Sequence, residues 1–198
     1  MTGNELFPVF IKLAQLETLV VGGGNVGLEK MEALLKNSPR AKITLVADLI
    51  KVEIYELAMQ HPHVILHKRK FEDRDVHGKD LVILATDDRS LHEHIKVLTR
   101  QQQILTNVAD TPDLCDFYLG SVVQKGDLKI AISTNGKSPT VAKRMRQYLE
   151  KLLPDSIQEV LDNMKEIRDR LKGDFAYKVH KLNEVTALMT EEEPPSNL

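Results

Sequence analysis

The chain contains no tryptophan, and aromatic residues make up only 5% of its 198 residues. A platform of stacked rings for single-stranded nucleic acid is therefore not expected. A single cysteine, Cys115, excludes an internal disulfide and suits a reducing compartment. No apolar run approaches the roughly 18–20 residues that a membrane span needs. The opening "MTGNELFPVF" lacks the basic region and long apolar core of a secretory signal. Neither sign of charge dominates: 27 Lys and Arg stand against 29 Asp and Glu, for a net charge of −2. A chain-wide basic surface for nucleic acid is thus excluded. A cytoplasmic protein without membrane or nucleic-acid partners is expected.

What is there is a rhythm. "ETLVVGG" is a short apolar run ending in glycines, as a buried strand would be. From Gly27 to Asn37, Leu28, Met31, Leu34 and Leu35 recur at helical spacing. "KITLVAD", "HVILHKRKF", "DLVILAT" and "ILTNVAD" read as four further strands, with helices over Ile50–Gln60 and within "DDRSLHEHIKVLTRQ". Strand and helix alternate through about residue 110, which argues for an α/β, Rossmann-like doubly wound parallel sheet. The rhythm then breaks. "DFYLGSVVQKGDLKIAIST" reads as a hairpin turning at Lys125-Gly126. Ser138 is a natural N-cap with Pro139 at the first helical position. Two more helices are expected over Ser156–Lys172 and Phe175–Met189. The expected division is a dinucleotide-binding domain at 1–112, a small β region at 113–137, a helical part at 138–190 and a disordered acidic tail at 191–198. The apolar stripes of the helical part call for the sheet domain or a second copy as cover.

The glycine loop carries the most chemistry. Gly22, Gly24 and Gly27 fit G-x-G-x-x-G, with Gly23 as an extra, after a strand and at the head of a helix. The first glycine permits the turn, the second lets backbone approach a pyrophosphate, and the third lets helix and strand pack closely. Asn25 and Val26, between these glycines, are expected at the cofactor with them, and the free N–H groups of the helix start favour phosphate. Asp48 falls 21 residues past Gly27, where a carboxylate can accept from a ribose 2′-OH and would repel a 2′-phosphate. NAD is the expected cofactor. Ligands of such sheets sit beyond the C-terminal strand ends. Thr86, Asp87 and Asn107 are therefore expected at the cofactor, while Asp87 and Asp88 also suit a helix cap. Asp110 stands where a nicotinamide would lie, but also suits a turn before Pro112.

"FPVFIKLAQLETLVVGGGNVGLEK", "ATDD", "NVADTPDLCDF" and "ISTNGKSPTVAKRMRQYLE", in that order, resemble the precorrin-2 dehydrogenase family, the module of siroheme synthases that makes sirohydrochlorin. The "TNGKSP" element followed by "AKR" is the most discriminating, because ordinary Rossmann enzymes lack it. The family usually has Ala at the position of Gly27 and often Pro at that of Asp48. The resemblance implies oxidation of precorrin-2 with NAD and, in some members, insertion of ferrous iron to give siroheme. It places the key carboxylate at Asp110, which would accept the proton lost with hydride removal. It implies an intertwined homodimer. The tetrapyrrole is a polycarboxylate, and Lys137, Lys143, Arg144 and Arg146 set four cations near one helix start. Ser133, Thr134, Asn135 and Ser138 are expected to join Lys137, Lys143 and Arg144 at the substrate.

Other patterns carry less. Tyr177 and Lys181 match the spacing of the short-chain dehydrogenase pair, but stand far from the fourth strand, where that pair belongs. His61, His63 and His67, and His92 and His94, lack the cysteine or carboxylate company of a stable metal site and are expected on the surface. No resident metal is expected. Cys115 has no neighbour that would lower its pKa. The basic run His67–Lys70 is expected in solvent. A non-catalytic NAD-sensing regulatory module remains the competing function. It would share the glycine loop and Asp48, but leaves Asp110 and the "TNGKSP" element without a task.

Overall fold

The computed structural model describes residues 3–173 and 175–186. The tail expected at 191–198 and the last helical residues expected before Met189 lie outside the described residues. The chain forms two compact units. The first runs up to Ser121 and includes Ser133–Ala142; the second takes Val122–Ile132 and continues from Lys143.

The first unit is built on a five-stranded sheet in the order β3-β2-β1-β4-β5. In chain order its elements are β1 (Glu17–Gly23), α1 (Asn25–Asn37), β2 (Lys42–Ile50), α2 (Val52–Met59), β3 (Val64–Lys68), β4 (Leu81–Leu84), α3 (Arg89–Gln101) and β5 (Leu105–Val108). Every neighbouring pair of strands runs parallel. This is the doubly wound, Rossmann-like architecture expected from the alternation. Burial on both faces explains why the strands read as continuous apolar runs. Val20, Ile43, Leu45 and Ile83 share one core with Met31, Leu34 and Leu35 of α1 and Ile54 of α2. Leu19, Val21, Val46, Val82 and Leu84 share the other with Ile95 of α3 and with Val76. Successive residues of a strand point to opposite faces, so Leu19, Val20 and Val21 alternate between the two cores. The strand order reverses between β1 and β4, which makes their C-terminal ends the switch point.

Two element boundaries have clear local reasons, and α1 starts at Asn25, two residues before the Gly27 expected. β2 continues to Ile50 because its pairing with β1 shifts register and resumes at Gly23 opposite Ile50. The Lys51 amide then donates to the Gly23 carbonyl over 3.0 Å. Helix α3 begins at Arg89 because the Asp88 carboxylate accepts from the Leu91 amide over 2.9 Å. That bond satisfies one of the donors a helix start leaves free.

The second unit holds, from Val122 onward, a two-stranded sheet of β6 (Ser121–Lys125) and β7 (Leu128–Ile132). Its helices are α4 (Pro139–Leu152), whose first turn through Ala142 counts with the first unit, α5 (Ile157–Arg170) and α6 (Phe175–Thr186). The hairpin turn is Gly126-Asp127, with Gly126 at φ +54°. Gln158 ties that turn to α5: its Oε1 accepts from the Asp127 amide at 2.7 Å, and its Nε2 donates to Asp127 Oδ2 at 3.1 Å. Lys125 reaches the end of α4, donating to the Leu153 carbonyl at 2.5 Å and to Asp155 at 2.7 Å. A lysine on the last carbonyls of a helix suits the negative end of its dipole. Among the described residues no helix is long and apolar enough to cross a membrane.

Candidate functional site: a dinucleotide cavity at the switch point

A cavity of about 1110 Å³ opens within the first unit at the C-terminal ends of the sheet. Its floor is the turn from β1 into α1, where Gly22, Gly24, Asn25 and Val26 line the wall. Gly22 sits at φ +118°, and a Cβ there would strike the Ala85 carbonyl of the neighbouring strand. Only glycine meets both demands. Gly24 has open space where a Cβ would stand, so nothing on this turn stops a phosphate from reaching backbone. Gly27 faces the protein instead: a Cβ there would meet the Gly22 carbonyl oxygen. Its role is close packing of α1 on the turn, and the alanine usual in the resembling family would require that turn to shift.

Asp48 lines the same cavity from β2, exposed, with Oδ1 accepting from the Leu49 amide at 2.9 Å. Two lysines missed in the sequence reading join it. Lys51 donates to Asn25 Oδ1 at 2.9 Å and pairs with Glu53 at 3.1 Å; Lys70 lines the wall beyond β3. The signal was available, because Lys51 follows Asp48 by three residues. Thr86, Asp87 and Asp88 line the cavity after β4. Asp88 is the helix cap described above, whereas Asp87 is exposed and is given no such role.

Asp110 lines the cavity beyond β5, with its neighbours Ala109 and Thr111. It is exposed and adopts φ +55°, one of three non-glycine residues with positive φ among those described. Left-handed backbone costs an ordinary L residue about 1–2 kcal/mol, with Asp and Asn among the least penalised. The turn is held from behind. Cys115 Sγ lies 3.2 Å from both the amide nitrogen and the carbonyl oxygen of Val108, and the Thr111 hydroxyl donates to the Ala109 carbonyl at 3.2 Å. Burial pushes the Cys115 thiol above its ordinary pKa, the reverse of what a nucleophile needs.

Asn107 does not line the cavity. It is buried, and its side-chain amide donates to the Phe117 carbonyl at 2.8 Å. The segment after Cys115 folds back along β5, where the Asp116 amide also donates to the Thr106 carbonyl. His92 is a correction of the expected surface position: it is 3% exposed, because it shares the buried stripe of α3 with Ile95 and Thr99. His94 does face outward, 2.8 Å from Asp73. The basic run after β3 is not fully solvated either. Arg69 forks onto Asp75 with bonds of 2.8 and 2.5 Å. Burial opposes ionisation of Asp75, but that fork and the Glu72 amide hold its pKa below the ordinary value.

The "TNGKSP" element forms one tight turn before α4. Thr134 accepts from the Lys137 amide, with Asn135 at φ +52° and Gly136 at φ +73°. Ser138 caps α4, its hydroxyl accepting from the Val141 amide at 3.2 Å. Ser133 Oγ accepts from the Asn135 amide and from the Asn4 side chain. Lys143 and Arg144 are exposed on α4, while Arg146 pairs with Glu150 at 2.6 Å.

Comparison with known proteins gives this geometry a context. Residues 9–121 match the family described as "Putative NAD(P)-binding", and residues 125–152 match the one described as "Sirohaem biosynthesis protein central". The siroheme synthase of Ruthia magnifica is 34% identical over 169 residues, 85% of this chain and 35% of its own length. That of Thioalkalivibrio sulfidiphilus is 38% identical over 151 residues, 76% of this chain and 30% of its own. The chain thus spans about a third of the length of these curated relatives. Among solved structures, SirC, a precorrin-2 dehydrogenase, superposes with a TM-score of 0.72 at 25% identity, covering 91% of this chain and 89% of SirC. With more than half of its residues inside the first of these families, the chain belongs to the family described as "Putative NAD(P)-binding", and a sirohaem biosynthesis element follows it.

Proposed function

We propose that the chain is an NAD-dependent precorrin-2 dehydrogenase that yields sirohydrochlorin. The observation that carries this is Asp110, a carboxylate held in left-handed backbone in the wall of the dinucleotide cavity. Bound NAD supplies a hydride acceptor. Gly22, Gly24, Asn25 and Val26 take its pyrophosphate, with Gly27 setting the helix that presents those donors. Asp48 accepts from the adenosine ribose hydroxyl and disfavours a 2′-phosphate, which makes NAD the preferred cofactor. Thr86 and Asp87 complete the wall, and Asn107 acts behind it by holding the Phe117 segment. Asp110 takes the proton that leaves the tetrapyrrole carbon skeleton as hydride departs. Ser133, Thr134, Asn135, Lys137, Ser138, Lys143 and Arg144 receive the carboxylates of the substrate, a polyanion that cationic and N–H donors attract. Where ferrous iron is inserted afterwards, it is a substrate, and Asp110 is the group that accepts the pyrrole protons.

The active species is a homodimer. Val141, Met145, Tyr148 and Leu152 of α4 are 52%, 44%, 60% and 62% exposed and recur at the four-three-four spacing of a helix-pairing seam. A stripe of that kind left in water marks an interaction surface.

Anaerobic incubation with precorrin-2 and NAD tests the reaction. Growth of NADH absorbance in step with sirohydrochlorin supports it. NAD binding without turnover would establish the sensing module instead, and adding ferrous iron with sirohydrochlorin to the same protein reports chelation.

A further inference from the structure

The most unusual group in the cavity wall is a histidine that the reaction does not use. His92 lines the cavity from the first turns of α3, yet it is 3% exposed. Its Nε2 lies 2.8 Å from the hydroxyl of Thr86. Thr86 ends the run of β4 at the switch point, and its methyl group is 3.1 Å from where a Cβ on Gly22 would stand. Thr86 is therefore gripped from two sides. Glycine at position 22 leaves room for the methyl, and the imidazole holds the hydroxyl. A threonine has three staggered rotamers, and the cost of leaving a buried hydrogen bond unmade selects one.

We infer that His92 is a positioning residue for cofactor binding: it holds the Thr86 hydroxyl in the orientation that meets the phosphate–ribose stretch of the dinucleotide beside the glycine turn. This rests on the assignment of the cavity to NAD. The hydrogen bond is internal to the wall, so His92 acts through Thr86 without touching the cofactor. Its position on α3 makes the link rigid. Ile95 and Thr99 on the same stripe are buried, and the Thr99 hydroxyl is itself bonded to that of Thr106 at 2.7 Å. The charges acting on His92 are those of Asp88 and Asp87, both at the start of its own helix. They favour the cationic ring, but burial outweighs them and holds its pKa below the ordinary 6.5. The ring is neutral at pH 7, the state in which one nitrogen can accept and the other donate.

Calorimetric titration of the full chain with NAD provides the test, with folding of each variant checked by circular dichroism. His92→Leu is expected to raise the NAD dissociation constant about tenfold, the effect of one misplaced hydrogen bond. His92→Gln, which keeps a neutral polar group, should recover most of that loss. Thr86→Val should weaken binding as His92→Leu does, and the double variant should be no worse than either, because both remove one interaction. In turnover, the KM for NAD should rise in His92→Leu while that for precorrin-2 stays put. Additive losses in the double variant, or unchanged NAD affinity in a folded His92→Leu, would overturn the inference. If His92→Leu does not fold, the pH profile decides. Wild-type affinity should change as the ring protonates below pH 6.5 while His92→Gln stays flat, and parallel profiles would overturn the inference equally. Wild-type protein that binds no NAD would sink the cofactor assignment itself, an outcome distinct from either.

Discussion

Helix α3 lies in the first unit and α4 lies in the second from Lys143 onward, and the two treat their apolar stripes in opposite ways. On α3, Ile95 is fully buried against the sheet, together with Thr99, and even a histidine is drawn into the interior. On α4, four large side chains at pairing spacing remain largely in water. One helix is finished by its own unit, and the other is left for something else to finish. The same division runs through the chemistry. The dinucleotide cavity is lined wholly by the first unit, whereas the cations Lys143 and Arg144 stand on α4. The lining of the dinucleotide cavity is therefore a property of one sheet domain, and the stripe on α4 is the surface proposed above to pair with a second copy.

Four changes break or sharpen that contrast. The largest effect is expected from Asp110→Asn, which keeps a residue tolerant of left-handed backbone and removes only the charge. Turnover should fall by about a hundredfold or more. NAD affinity and sedimentation behaviour should stay within error of wild type, and an active variant removes Asp110 from the reaction. Next, Ile95→Ala opens a cavity in the α3 core and should cost about 2–5 kcal/mol in urea unfolding. Met145→Ala in the dissociated chain should cost under about 0.5 kcal/mol. Equal costs would mean that α4 is already covered. Third, Met145→Glu with Tyr148→Glu places charge in the proposed seam. Analytical ultracentrifugation should show the dimer dissociation constant raised about thirtyfold or more, with NAD titration unchanged.

The smallest effect concerns pH. Folding holds the pKa of His92 below its ordinary 6.5, so the unfolded chain takes up the proton more readily. The contribution of the neutral ring to stability is complete above that value and is lost as pH falls towards the lowered one. Urea midpoints taken at pH 7.5 and 5.5 should drop more for wild type than for His92→Gln, and identical drops would contradict the burial of a neutral ring.

Much of the first unit was legible because local signals and global fold agree. The run "ETLVVGG" is apolar on both sides since helices cover both faces of β1, and the glycines that end it meet steric demands visible as spacing. Ser138 and Pro139 announced the start of α4 in the same way. What failed to show depends on partners distant in the chain. Asn107 looks like a cavity residue until the return segment at Phe117 claims its amide. Arg69 reads as a solvated cation until Asp75 turns towards it. His92 was a partial exception: it stands three residues before Ile95 and seven before Thr99, on the stripe the helix buries. Histidine is so common at surfaces that composition pulled against periodicity, and periodicity prevailed.

The backbone at Asp110 also constrains which descendants of this protein can exist. At φ +55°, a backbone cost of about 1–2 kcal/mol screens most side chains. Glycine, asparagine and aspartate pass that screen most readily, and of those three only aspartate brings a negative charge to the cavity. A lineage drifting at this position would thus reach uncharged but well-folded neighbours in one step, and could return from them just as easily. Loss of the charge and survival of the scaffold are, at this one residue, separately heritable.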